Sequence, residues 1–308
     1  MYKRQSRAQR ALRTVGWSGF AVFCLIIFTV LKVPEHRLKN FIQGSISSAL
    51  ASKGVTFTAA ESSLSFLFGV TYEMKDVTLN PPPPQPAVRI DRIRVSPSLF
   101  SLLLGRLGGT LKLEQGDGTL KASFAVKSPS AEAAEFSFSF QAKDLSLTRL
   151  GVLPIAAGVQ GGMVITGEGS VSGDMQIPST LNGDFKLQLA RVVIEQQAIM
   201  GFSVPRVAMA DGTVEVAMAQ SKATIKTFRL GKAGGTDDLH ANLSGEVVLG
   251  NRWDTSNLNL KAKFGLSQAA AKSFGFFLTL LDAGKQTDGS YAYNLTGPVR
   301  SPMPTPVK

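Results

Sequence analysis

Hydrophobic and polar positions follow three successive patterns along this chain. From Thr14 to Leu31 no position is charged: TVGWSGFAVFCLIIFTVL. From Glu35 the apolar residues Leu38, Phe41, Ile42, Ile46 and Leu50 recur at steps of three and four, which is one face of a helix that Gly54 ends. From Val55 to Leu295 the period is two. Val70, Tyr72 and Met74 alternate, with Val77 and Leu79 following after a bulge, and Val88-Arg-Ile90 and Ile93-Arg-Val95 continue the pattern. Leu120, Ala122, Phe124 and Val126 form another run, as do Phe136, Phe138 and Phe140. Later runs are Phe185, Leu187 and Leu189; Val214, Val216 and Met218; and Leu258, Leu260, Ala262 and Phe264. Each has one apolar and one polar face, the mark of half-buried antiparallel strands.

Helices are few in this pattern. Ser98 to Leu104 reads as a short apolar helix, and Ser267 to Leu281 as a longer one with Phe274, Phe277, Leu278 and Leu281 on one side. Pro81 to Pro84 is a stiff extended loop. A motif of Gly, polar, apolar, any, apolar opens at Gly109, Gly118, Gly183, Gly212, Gly245 and Gly289. Its irregular spacing argues for a long meander in which a turn glycine precedes each strand. The fold class is therefore mainly β: an N-terminal transmembrane helix, then an elongated antiparallel sheet with a few short helices. With few helices to cover it, the sheet must curl into a half-pipe, a barrel or a sandwich. The segments are a basic tail at 1–13, a membrane anchor at 14–33, a β-rich domain at 34–301 and an irregular Pro-rich tail at 302–308. In the shared interior of the sheet, Phe136, Phe138, Phe140, Phe185, Leu187 and Leu189 are expected to line an apolar groove.

The 18 uncharged positions from Thr14 to Leu31 reach the length of a single membrane span. Trp17 lies where an interfacial aromatic belongs, and Phe20, Leu25, Ile26, Phe28 and Leu31 supply the lipid-facing surface. Lys3, Arg4, Arg7, Arg10 and Arg13 precede the span with no acid among them, which keeps the N-terminus cytoplasmic. A cleaved signal peptide would end in a small-residue site, and Lys32-Val33-Pro34 provides none. The expected location is the inner membrane, single-pass, with the C-terminal domain in the periplasm and the bilayer itself as first partner.

Charge adds little to this picture. Once the five N-terminal cations are set aside, the formal +11 falls to about +6, spread singly along the chain. Nucleic-acid binding would need a dense basic patch interleaved with aromatics, and none is present. The single cysteine, Cys24, lies in the apolar span, so disulfide and thiol chemistry are excluded elsewhere. His36 and His240 are far apart in sequence and lack ligand spacing, so no metal or catalytic role is assigned to them. Gly231-Lys232 is followed by Ala233, which is no phosphate-binding loop. The run from Gly167 through Gly169 to Gly173 has the wrong last spacing for a dinucleotide loop. Asp237-Asp238 reads as a solvated pair in a Gly-rich turn. No catalytic residue, metal or cofactor is expected, and the chain is not expected to be an enzyme.

The order of segments resembles a known group. A basic tail, one span, a proline, an amphipathic helix and then strands are similar to the opening of the AsmA-like superfamily. The resemblance continues in VTYEMKDVTL (Val70–Leu79), in Ile90-Asp-Arg-Ile-Arg-Val-Ser-Pro-Ser-Leu, and in GGMVITGEGSVSGD followed by LNGDFKLQLARVVI. It ends in Tyr291-Ala-Tyr-Asn-Leu-Thr-Gly-Pro-Val-Arg-Ser-Pro. Within that group, length and layout are most similar to the GspN family of the type II secretion system. That resemblance implies a non-enzymatic accessory role beside the inner-membrane platform proteins of the secretion machine. The wider group implies phospholipid binding or transfer in envelope biogenesis.

Overall fold

The computed structural model describes residues 35–52, 54–66, 69–83, 85–98, 101, 106–127, 135–151, 153, 159–174, 176–199 and 202–307. The expected anchor, with Trp17, Phe20, Leu25, Ile26, Phe28 and Leu31, lies outside them. Among the described residues no helix is long and apolar enough to cross a membrane. The chain divides into two units, residues 1–53 and 54–308. In the first, the three- and four-residue apolar spacing forms helix α1 (Glu35–Ala51), on which Phe41 is 71% exposed.

The second unit is built on one antiparallel meander. Its strands are β1 (Thr56–Ser65), β2 (Thr71–Asn80), β3 (Val88–Pro97), β4 (Arg106–Gln115), β5 (Gly118–Lys127) and β6 (Glu135–Ser146). They continue with β7 (Gly161–Asp174), β8 (Ile177–Ile194), β9 (Gln197–Ile199), β10 (Phe202–Val204), β11 (Val207–Ala219) and β12 (Lys222–Leu230). The last are β13 (Leu239–Val248), β14 (Asn257–Leu266), β15 (Tyr291–Pro298) and β16 (Met303–Pro306). Fourteen of them hydrogen-bond in chain order into one sheet, while β9 and β10 pair only with each other. Helix α2 (Gln268–Leu281) joins β14 to β15. Its N-cap is Ser267, whose hydroxyl accepts from the Ala270 N–H, and Gly275 kinks it at φ 27°. A capped first turn and an apolar stripe are what the sequence pattern required of this segment.

Because the meander is regular, the strands have two kinds of end. At the near end the chain comes from Gly54 into β1, and connections such as β6–β7 and β14–β15 run there. At the far end lie the β7–β8, β11–β12, β13–β14 and β15–β16 turns. The near end carries bulges. Asp76, Asp144 and Arg191 adopt left-handed φ of 49°, 49° and 53°. In β6 the register slips between Ala142 and Leu145, so these two residues, three apart, are both buried on one face. The same device at Asp76 explains why Met74 and Val77 are both buried.

Three expectations need correction. The tail after Pro302 is not irregular: Met303–Pro306 pairs with β15, Pro304 opposite Leu295 and Pro306 opposite Tyr293. Proline is tolerated there because β16 is an edge strand, where a missing N–H has no ladder partner to lose. Four of the six motif glycines are not turn residues. Gly109, Gly183, Gly212 and Gly245 lie inside strands, and at Gly183 and Gly245 the neighbouring backbone comes within 2.0 and 2.2 Å of where a Cβ would sit. Asp237-Asp238 is not solvated either. The Asp237 carboxylate is buried and accepts from the N–H groups of Ala210 (2.7 Å) and Lys232 (2.8 Å), and Asp238 accepts from Ala208 N–H (2.8 Å). These two acids tie the β12–β13 connection to β11, which a count of polar residues in a turn does not reveal.

Candidate functional site

Directly opposite residues in a sheet share a face, so the register defines rows of side chains across it. One row runs through all fourteen strands: Leu64, Tyr72, Val95, Leu111, Ala122, Phe140, Gly169, Phe185, Val216, Ile225, Gly245, Leu260, Leu295 and Pro304. No polar side chain interrupts it beyond the Tyr72 hydroxyl. At ~4.8 Å per strand the row is ~60 Å long. The opposite face reads Glu73, Arg94, Lys112, Lys121, Gln141, Glu168, Lys186 and Glu215 across eight of the same strands. The period-two pattern has thus been summed, strand by strand, into one mainly apolar face, with Ser62 on β1 as a polar exception, and one charged face.

All six predicted groove residues lie on the apolar face, on β6 and β8, with β7 between them. Phe140 faces Gly169, and Gly169 faces Phe185. The two rings close over the glycine, with centroids 6.1 Å apart and 25° between their planes. A Cβ on Gly169 would lie 2.4 Å from Phe185 Cδ1 and 2.9 Å from Phe140 Cε1, so the bare backbone is what lets the rings meet. Phe138 stands 6.0 Å from Phe140, centroid to centroid. Phe136, Phe138, Phe140, Phe185 and Leu187 are half-buried, and Leu189 is fully buried.

Leu189 belongs to a cluster that shows how the near end is covered. With Val192, Val207 and Met209 it packs against Met163, Ile165, Leu230, Leu239 and Phe274. Every strand residue in that list comes from β7, β8, β11, β12 or β13, and the remaining contact is Phe274 of α2. The helix reaches this cluster through Phe274. Tyr293 Oη fastens the end of α2 by donating to the Leu281 carbonyl at 2.8 Å. Away from α2 the same apolar face is only partly covered, and Phe124 is 43% exposed.

On the charged face, Arg92 and Arg94 bridge to Glu73 at 3.3 and 2.6 Å, and Arg92 reaches Glu114 at 3.1 Å. A shallow cleft of about 480 Å³ beside Lys121, Lys143, Glu168 and Lys186 holds only exposed charges. Among the described residues no group of three or more His, Cys, Asp or Glu is placed to hold a metal ion. His240 sits on β13 with its ring against Gly265.

No known protein family, curated protein or solved structure matches this chain. The site must be read from its own geometry.

Several carboxylates link this geometry to pH. The Lys232 ammonium and then the Arg229 guanidinium hold Asp211 below its ordinary value of 3.8. Lys112, helped by Arg92 and Arg94, holds Glu114 below 4.5. Lys263 and the Ser290 hydroxyl and N–H hold Asp288 well below the usual carboxylate range. A carboxyl whose folded pKa is depressed stabilises the fold above its unfolded pKa, and that contribution is lost as pH falls through the folded value. The urea midpoint is therefore expected to be flat from neutral pH down to about 5 and to fall below about 4. Because these groups are solvent-accessible, high salt should flatten the fall. A midpoint that rises on acidification would refute the assignment.

Proposed function

We propose that this chain is a non-enzymatic, inner-membrane-anchored protein of the cell envelope whose sheet curves into a half-pipe, with the apolar face as a trough for phospholipid acyl chains. The observation that carries this reading is the unbroken apolar row across fourteen strands, of which seven residues are half-buried and two, Gly245 and Pro304, are exposed. A protein core would bury that surface, and an ordinary soluble surface would not expose it as one band. A row of ~60 Å equals about four leaflet thicknesses of hydrocarbon, ample for acyl chains lying along it. Coverage of the Leu189 cluster by α2 supports a trough over a sandwich, since a sandwich would place a second sheet there. The AsmA-like resemblance and the uncharged span at Thr14–Leu31 point the same way.

The GspN-like motifs favour a second reading, an accessory component of the type II secretion system that contacts its inner-membrane platform. One experiment separates the two. A photo-crosslinking residue at Phe138 of the full chain, activated in intact envelopes, should yield lipid adducts by mass spectrometry. Adducts to platform proteins in place of lipid would favour the secretion reading. Adducts to neither would remove the trough.

A further inference from the structure

The exposed large apolar side chains on the strands and turns of the β unit gather at its far end; Leu280 on α2, 64% exposed, is the exception at the near end. Ile177, Val248, Trp253, Val299 and Met303, all exposed, lie on or beside the far-end turns of β7–β8, β13–β14 and β15–β16. Leu107 and Phe124, the other exposed large apolar residues of the strands, lie in the far-end halves of β4 and β5. At the near end the buried Asp237 carboxylate ties the β12–β13 connection, and Phe274 of α2 packs over the Leu189 cluster.

The far-end turns are also locked together. Ser179 N–H donates to the Gly250 carbonyl at 3.1 Å, and its hydroxyl donates to Asn251 Oδ1 at 2.8 Å. Ser221 Oγ donates to the Ser179 carbonyl at 2.9 Å, and Val299 N–H to the Ser256 carbonyl at 3.0 Å. Ser256 is 1% exposed beneath this network. On top of it, a short 3-10 helix (Trp253–Thr255) presents Trp253, which is 56% exposed. Arg252 and Arg300 flank it, 75% and 78% exposed, and share one acid, Asp254, at 2.8 and 3.8 Å. An exposed tryptophan on turns that carry further exposed apolar residues, beside two outward cations that outnumber their acid, has the composition of a surface that rests at a bilayer interface. A protein partner would equally cover apolar area, but the cationic surplus specifies an anionic surface.

We propose that the far-end tip around Trp253 docks on an anionic phospholipid bilayer, with Trp253, Val248 and Val299 entering the headgroup boundary and Arg252 and Arg300 pairing with lipid phosphates. Docking does not depend on acyl chains filling the trough, so the two readings fail separately.

The test uses the full chain held in phosphatidylcholine nanodiscs. The sequence has two tryptophans, and Trp17→Phe leaves Trp253 as the sole reporter. Addition of vesicles containing phosphatidylglycerol should shift Trp253 emission to the blue, and lipids brominated high in the acyl chain should quench it. In co-flotation, R252Q with R300Q should weaken vesicle binding by about twenty-fivefold, since each cation near an anionic surface is worth about fivefold. W253S should weaken it in the same assay, and added salt should weaken it further. Phe138→Asp, which disables the trough, should leave flotation unchanged. Circular dichroism identifies any variant that has unfolded. Unchanged, unquenched emission with anionic vesicles overturns the proposal. So does equal binding to neutral and anionic vesicles, or a crosslinker at position 253 that captures protein and no lipid in intact envelopes.

Discussion

Val77→Asp is expected to unfold the β unit, while Phe138→Asp leaves it folded. Both substitutions place a carboxylate on the same apolar face. Val77 is 0% exposed beside the near-end bulge at Asp76. An unpaired charge in such a site costs roughly 3–5 kcal/mol. Set against a typical domain stability of about 5–15 kcal/mol, that removes most or all of the folded population. Phe138 is half-buried, and Phe124, opposite it on β5, is 43% exposed. A carboxylate at 138 reaches solvent, so the loss is the ring's partial burial, about 1–2 kcal/mol. Circular dichroism and urea titration of the two variants give the comparison. Equal collapse of both would mean that the face is closed along its whole length, and the trough would have to be abandoned for a sandwich.

Gly245→Ala should be nearly as damaging, although it adds one carbon. Gly245 lies in the middle of β13, opposite Ile225 on β12 and Leu260 on β14. Its φ is +120°, a conformation that alanine resists at a cost of about 1–3 kcal/mol. A Cβ there would also lie 2.2 Å from the Asn259 carbonyl oxygen and 3.0 Å from Leu260 Cα. Both are backbone atoms of the adjoining strand, so relief requires β13 and β14 to part. Each ladder bond lost adds about 0.5–1.5 kcal/mol. Gly234→Ala is the control. Its φ is +73°, but nothing lies within 4 Å of the new carbon. The expected result is a large drop in the urea midpoint for Gly245→Ala, with faster amide exchange concentrated in β13, β14 and β15, and a small drop for Gly234→Ala. Similar drops for both would place the cost in φ alone and not in the strand contact.

The alternation of apolar and polar residues was enough to determine that this chain is mainly β, that the helix before Gly54 and the helix after Ser267 are exceptions, and that Phe136–Phe140 and Phe185–Leu189 each present one apolar face. These are local properties, set by a period of two or 3.6 and by caps and breakers within a few residues. The bulge after Met74 was legible because Val77 breaks the phase of Tyr72 and Met74. The sequence also placed the uncharged span at Thr14–Leu31.

Pairing was not legible. Phe140 and Phe185 are 45 positions apart, and only the register of β7 puts Gly169 between them. The glycine motif looked like a series of turns because a glycine required by a close-passing strand has the same letters around it as one required by a turn. Asp237 and Asp238 looked solvated because their partners, the N–H groups of Ala208 and Ala210, lie on another strand. Prolines at 304 and 306 suggested an irregular tail, whereas the sheet's edge gives them a place where no N–H is needed. The meeting of the turns that carry Ile177, Trp253 and Val299 is decided by the tertiary structure alone. It follows from which strand ends meet, and that depends on contacts between residues tens of positions apart.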